Sequence, residues 1–326
     1  MEDLSYHDLL DEWITNFFKW CSQGGRRNFH EDMAKLEVAC ERLSDDQKIP
    51  LFLKPNPQEW RDAIGEAVVR EEMGVVDIML SSLTPDGFKK LLLHHTEAIL
   101  HTAALLGKVK MFKFIFKFME RKLDQESVME VLEHKCLLNG TSVMLYTIIG
   151  YGEEKEKAQI IDIILDHVPS YEQRMSLLKT ELRVTGTSAI HEAVIRGLPD
   201  VVLKLLQRFS HDEQREILAL ETRYGERPAD LVFHHTQIPD VYRPETCQQK
   251  LYKVGKLLHQ QHKLLELQSP DRNNVQRRGL LINLLTNSYS HLVHEICSRS
   301  TEACFAEKLY GNATKMIRQF HILLEK

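Results

Sequence analysis

Helix-start signals recur along the chain at an almost constant interval, and this period constrains the fold more than any other feature. Each signal is a residue able to cap a helix, and the intervals between them are 40, 40, 46 and 40 residues. The five capping residues are Ser44, Thr84, Asp124, Ser170 and Ser210. After each of the three serines, a Gln or Glu follows three residues later and predicts a capping box, which satisfies two backbone N–H groups at a helix start. A fixed period of this length is typical of a repeat protein.

Each unit of the repeat is predicted to contain three short helices. In the clearest unit, residues 188–197 carry apolar residues on one helical face and end at Gly197, which permits a left-handed turn. A second helix with an apolar stripe is predicted from Pro199 to Phe209, and Ser210 starts the third. Helices of about 9–12 residues bury too little surface alone, so the units must stack on one another.

Two of these units resemble the ankyrin repeat, whose signature is T-P-L-H-x-A-A with a Gly six residues after the His. His101 is followed by Ala103, Ala104 and Gly107, and Ser188-Ala-Ile-His-Glu-Ala is followed by Gly197. Weaker copies contain Ala63-Ile-Gly-Glu-Ala, Val143-Met-Leu-Tyr-Thr and Gly225-Glu-Arg-Pro-Ala.

The sequence also departs from that signature. The period is about 40 residues rather than 33, and we attribute the surplus to the extra capped helix of each unit. An insertion from Tyr151 to Lys157 lengthens one copy, and the signature His is missing from three of the five copies.

The resemblance implies an all-α, ankyrin-like helical repeat solenoid with short β-hairpin-type fingertips and helical caps at both ends. Fingertips are expected at Asn139-Gly140-Thr141 and Thr185-Gly186-Thr187. We predict an N-terminal helical cap over residues 1–58 and about five ankyrin-like units over residues 59–262. Residues 263–326 are predicted to form a C-terminal helical cap or a small separate module.

Composition excludes several function classes. The 42 Lys and Arg residues are well mixed with 47 Asp and Glu, and a solvated helix face explains the three arginines of the densest basic stretch, Arg272 to Arg278. We therefore predict no nucleic-acid binding. Lys113 and Lys117 interrupt the most apolar stretch, Met111 to Met119, so we predict no membrane insertion. The six cysteines are scattered without close pairing, which favours free thiols in a reducing compartment and a cytoplasmic location.

Candidate chemical sites are few, and we predict no metal, no cofactor and no catalysis. His291, His294 and Cys297 follow helical spacing, with Cys304 beyond them, but the close ligand pair of a structural zinc site is absent from this segment. Cys297 or Cys304 beside a histidine is the best nucleophile candidate, and no P-loop or other catalytic motif occurs. The resemblance implies that His101 and His191 instead tie helix starts to a neighbouring turn.

A stack of such units predicts a scaffold or adaptor that binds a partner protein on its concave face. The alternative is an effector whose repeats deliver a C-terminal helical catalytic or regulatory module. Glu66, Glu72 and Glu192 are expected to be solvated or to face a partner. The resemblance places partner contacts after the signature His and at the fingertips, at Thr102, Leu105, Arg183, Thr185, Glu192, Ile195, Arg196, Arg223, Tyr224 and Glu226.

Overall fold

The computed structural model describes seven stretches of the chain: residues 5–22, 30–56, 61–94, 98–136, 140–182, 185–231 and 253–261. The chain divides into two units, Met1–His262 and Lys263–Lys326, and the second lies outside the described residues.

In the described stretches, fifteen bounded helices follow one another in groups of three. The first group is α1 (Tyr6–Ser22), α2 (His30–Arg42) and α3 (Asp45–Phe52), and the second is α4 (Ala63–Arg70), α5 (Met73–Ser81) and α6 (Pro85–Leu92). The third is α7 (Ile99–Leu105), α8 (Val109–Lys122) and α9 (Gln125–Glu133). The fourth is α10 (Val143–Ile149), α11 (Glu154–Asp166) and α12 (Tyr171–Lys179), and the fifth is α13 (Ala189–Ile195), α14 (Pro199–Gln207) and α15 (His211–Leu218). Residues 228–231 and 253–261 are also helical.

The groups stack so that helices with the same position in each group, first, second or third, lie side by side. The inner helices α1, α4, α7, α10 and α13 contact one another in that order. The outer helices contact as α2 with α5, α8 with α11 and α11 with α14, and the third helices as α3 with α6, α6 with α9 and α9 with α12. The first three helices therefore take the same positions as a repeat unit, although their sequence lacks the repeat signature.

Equivalent apolar positions of successive units form the core. Ile64, Leu100, Met144 and Ile190 are buried at one position of the inner helices. The outer helices bury a matching row, formed by Val76, Phe112, Ile161 and Val202. Full burial of such a side chain contributes about 1.5–3 kcal/mol, so stacking supplies the stability that short helices lack alone.

All five predicted capping residues are N-caps of third helices. Ser44 and Ser210 form complete capping boxes with Gln47 and Glu213. At Ser170 the capping-box prediction is only half right, because its hydroxyl accepts the Gln173 backbone N–H without the reciprocal bond. Caps depend on local sequence, which explains why their positions could be predicted.

The third helix of one unit caps the outer helix of the next. Side-chain donors of α3, α9 and α12 bond to carbonyl groups that α5, α11 and α14 leave unpaired at their C-terminal ends. The pairs are Lys48 Nζ with Ser82 O, Gln125 Nε2 with His167 O at 3.1 Å, and Arg174 Nη1 with Arg208 O at 3.1 Å. The extra helix therefore contributes an inter-unit contact as well as apolar surface.

Backbone hydrogen bonds join the two sides of both predicted fingertips, of which Asn139 lies outside the described residues. The bonds run from Leu182 N–H to Thr187 O at 2.9 Å and from Cys136 N–H to Thr141 O at 3.2 Å. Gly186 sits in the left-handed region with φ of 66°. Within the described stretches, the β-type pairing is a single antiparallel bridge between Pro55 and Asp62.

Candidate partner-binding face

His191 ties the start of α13 to the loop that leads into the next fingertip. Its Nε2–H donates to the Leu220 carbonyl at 3.1 Å, while its Nδ1 lies 2.8 Å from the Ser188 hydroxyl and 3.3 Å from the Ser188 backbone N–H. These partners require the neutral imidazole with its proton on Nε2. Burial lowers the pKa of His191, so the neutral form is favoured.

His101 makes the same tie between α7 and the loop after α9. Its Nε2–H donates to the His134 carbonyl at 3.2 Å. Ala98 occupies the position of Ser188, and among the described residues the buried Nδ1 of His101 has no hydrogen-bond partner. Burial lowers the pKa of His101 to about 4.

The fourth unit has the serine of the Ser188–His191 pair but not the histidine. Ser142 is the N-cap residue of α10, at the position of Ser188, but Leu145 stands where the third and fifth units have histidine. The buried hydroxyl of Ser142 has no hydrogen-bond partner within the described part of the chain. The serine–histidine pair is therefore complete in the fifth unit alone among these three.

The Glu192 carboxylate is an internal contact of the fifth unit. It accepts hydrogen bonds from the Thr187 hydroxyl at 2.7 Å and from Arg196 Nε at 3.2 Å, and the residue is only 5% exposed. Glu66 is 1% exposed and pairs with Arg70 at the same helical spacing in the second unit. Of the two alternatives expected for these glutamates, solvation is wrong for Glu66 and Glu192, because each is buried and paired with the arginine one turn later, while Glu72 is half-buried.

Neighbouring fingertips pack on each other through an arginine. A Cβ placed on Gly186 would lie 2.3 Å from Arg223 Cγ, so the Arg223 stem covers that glycine directly. The next residue, Tyr224, is 77% exposed. The Thr222 hydroxyl accepts the backbone N–H of Tyr224 at 3.2 Å, which holds the tip in place.

These contacts decide the fold type. Helix pairs with a third capped helix stack in register, the signature histidines bond to the following loop, and left-handed glycines end α13 and form the fingertips. The described chain is an ankyrin-like repeat array. All of its bounded elements are α-helices, as the sequence predicts.

Comparison with known proteins gives a likeness in structure only. No protein-family model and no curated protein sequence matches the chain. A solved structure with a similar chain path is the ankyrin repeat domain of Bcl-3, whose title describes it as a unique member of the IkappaB protein family. That likeness has 15% sequence identity and a TM-score of 0.40, and it covers 79% of this chain and 98% of the other.

The ankyrin-like array places the predicted partner contacts in two groups. Thr102, Leu105, Ile195 and Arg196 belong to α7 and α13 or their C-terminal ends, and all four have accessible surface. The fingertip group is Thr185, Arg223, Tyr224 and Glu226. Arg183 lies outside the described residues, and Glu192 positions Arg196 from below the surface.

The spacing could have revealed the role of Glu192 before the structure was known. Glu66 with Arg70 and Glu192 with Arg196 repeat the same i, i+4 pair at equivalent positions of two units. Such a pair on a helix predicts mutual contact. The packing of Arg223 on Gly186 had no comparable sequence signal, because it joins two different units.

Other candidate chemistry is limited in the described stretches. They contain no cluster of three or more His, Cys, Asp or Glu residues suited to a metal ion, and no helix there is both long and apolar enough to cross a bilayer. Cys21, Cys40 and Cys136 are buried and form no disulfide within the described residues, and burial raises the pKa of Cys40 to about 11. The candidates His291, His294, Cys297 and Cys304 lie outside the described residues.

Ala98→Ser is expected to stabilise the protein by about 1 kcal/mol, because it supplies an N-cap hydroxyl and a partner for the buried His101 Nδ1. The reverse change, Ser188→Ala, should destabilise by about the same amount because it removes that contact in the fifth unit. Urea unfolding followed by circular dichroism measures both changes. A loss of stability in Ala98→Ser would show that the two units are not equivalent at this position.

Proposed function

We propose that this protein is a non-catalytic scaffold that binds another protein through one face of its repeat array. That face, called the inner face below, consists of Thr102, Leu105, Ile195 and Arg196 together with the fingertip residues Thr185, Arg223, Tyr224 and Glu226. It is the concave side expected of a stack of this type.

The observation that carries the proposal is the exposed Tyr224 beside a packed Arg223. Tyrosine and arginine are the residue types that most often dominate protein–protein binding energy. Tyr224 is largely exposed, while its backbone and the neighbouring arginine stem are held by hydrogen bonding and packing. A rigid aromatic side chain loses little conformational entropy on binding, which suits a recognition surface.

The inner helix contributes a second fixed group. The buried Glu192 carboxylate holds Arg196 Nε, and the Arg196 side chain remains exposed. A guanidinium held in this way can offer its remaining N–H groups to carboxylates of a partner. Leu105 and Ile195 pack against the core while keeping part of their surface accessible, so the face combines polar and apolar contacts.

Tyr224→Ala should reduce recovery of the partner by at least about tenfold, since a buried aromatic anchor commonly contributes about 2 kcal/mol or more. The measurement is affinity capture with the purified full chain, scored against capture by the wild type. Tyr151→Ala is the matched control, because Tyr151 is 84% exposed in the loop between α10 and α11. Equal recovery by the two variants would contradict the proposed face.

A further inference from the structure

The outer surface of α8 carries a line of basic side chains that the proposed inner face does not use. Lys110, Lys113, Lys117 and Arg121 are all exposed. Spacings of three and four residues place them on one side of the helix. From Lys110 to Arg121 the line extends about 16 Å at the usual helical rise. We call these four residues the α8 basic stripe.

Three members of the α8 basic stripe lack ionic partners. Within the described part of the chain, Lys110, Lys113 and Lys117 make no side-chain hydrogen bond or ion pair. Four other lysines of the array are paired: Lys89 with Glu130 at 2.6 Å, Lys108 with Glu71 at 3.0 Å, Lys179 with Glu216 at 2.8 Å and Lys204 with Asp162 at 2.8 Å. Three adjacent unpaired ammonium groups repel one another, so an anionic ligand would relieve that repulsion.

An aromatic ring lies within the α8 basic stripe. Phe114 occupies the turn between Lys110 and Lys117 and is only partly buried. Its ring packs edge-on against Phe118 with centroids 5.3 Å apart, and Arg121 lies over Phe118 at 4.4 Å. The stripe therefore offers an apolar contact with positive charge at both ends.

The neighbouring helices limit the width of this positive surface. Asp77 is exposed on α5, whose C-terminal carbonyls bond to Lys122 of α8. On the other side, α11 contacts α8 and carries Asp162 and Asp166, both paired with Arg208 of α14. Glu120, at the end of α8, pairs with His167. A broad anionic sheet such as a membrane would face these carboxylates as well, whereas a narrow linear ligand would not.

We propose that the α8 basic stripe binds an acidic linear segment of a partner protein, with an apolar residue of that segment resting on Phe114. Charge complementarity identifies the ligand as a peptide rich in Asp and Glu, and the narrow stripe favours a single extended or helical segment. Individual exposed ion pairs are weak and screened by salt, so the binding depends on several lysines acting together.

The test uses the full chain and a fluorescein-labelled peptide of about twelve Asp and Glu residues with one central Leu, which as a helix would extend about 18 Å, close to the length of the stripe. Fluorescence anisotropy should show binding at about 50 mM salt that weakens at least about fivefold at about 300 mM. The combined change Lys110→Gln, Lys113→Gln and Lys117→Gln should weaken binding at least tenfold. These side chains are exposed, make no ion pair and repel one another, so the urea midpoint should not fall.

The matched control changes three exposed lysines that lie apart from each other, Lys19, Lys135 and Lys155, to Gln. The control carries the same net charge as the α8 variant and should retain wild-type affinity. Equal weakening in both variants would overturn the proposal, because it would indicate general charge attraction. Failure of the peptide to bind the wild type would also overturn the proposal. If the wild type binds phosphatidylserine vesicles instead, and the α8 variant does not, the stripe recognises a membrane surface and the proposal is equally overturned.

Discussion

Gly107→Ala should destabilise the protein by about 4 kcal/mol, because that glycine is both left-handed and closely packed. Its φ is 68°, a conformation that costs an alanine roughly 1–2 kcal/mol. A Cβ there would also lie 2.5 Å from the Cα of Gly152 in the next unit. Backbone atoms cannot move away cheaply, so the overpacking adds about 1–3 kcal/mol.

Two further glycines separate these contributions. Gly225 has a φ of 74° with no atom within 4 Å of the position that a Cβ would take, so Gly225→Ala should cost only about 1 kcal/mol of strain. Gly150 has ordinary φ, but its Cβ would lie 2.2 Å from the Leu105 carbonyl oxygen. Gly150→Ala should therefore cost about 3 kcal/mol through the clash alone. Urea unfolding of the three variants measures this order, and a Gly150→Ala variant as stable as Gly225→Ala would contradict it.

Acidification should weaken the fold well before the carboxylates are protonated, because His101 is held neutral. Its pKa falls from 6.5 to about 4 on folding, chiefly through burial. The unfolded chain therefore binds a proton that the folded chain does not, and stability decreases as the pH falls from about 6.5 towards 4. The expected loss between pH 7 and pH 5 is about 2 kcal/mol.

The variant His101→Gln should lose much less stability between pH 7 and pH 5, since glutamine can still donate to the His134 carbonyl and does not titrate. His211→Gln is the control, because His211 is exposed at the start of α15 and should leave the wild-type loss unchanged. Unfolding curves at both pH values provide the comparison. Asp124 and Glu216 titrate below this range, because hydrogen bonds from Ser127 and Lys179 lower the pKa of each carboxyl below its ordinary value. His191, whose pKa burial also lowers, accounts for part of the loss that remains in His101→Gln. An unchanged loss in His101→Gln would contradict the assignment.

Local features of the fold could be predicted from the sequence. The boundaries of α8, Val109 to Lys122, follow from its periodic apolar pattern, and the five third helices follow from their capping residues. The histidine ties followed from the resemblance to the ankyrin repeat. These features depend on residues within one unit or on one repeated motif.

Contacts between units were not predictable in the same way. The approach of Gly107 to Gly152, the cover of Gly186 by Arg223 and the capping of α14 by Arg174 all join different repeat units. Each depends on the stacking geometry, which a single unit does not encode. Glu192 was misjudged for a related reason, since a charged residue on a short helix is expected to be solvated until its arginine and threonine partners are known.

Site-specific photo-cross-linking tests the central claim, partner recognition on the inner face, most directly. A photoreactive phenylalanine analogue would replace Tyr224 in one preparation and Tyr151 in another, because both side chains are largely exposed. Our account predicts that the captured partner cross-links at position 224 and not at position 151. Cross-linking at position 151 alone, or equally at both positions, would contradict it.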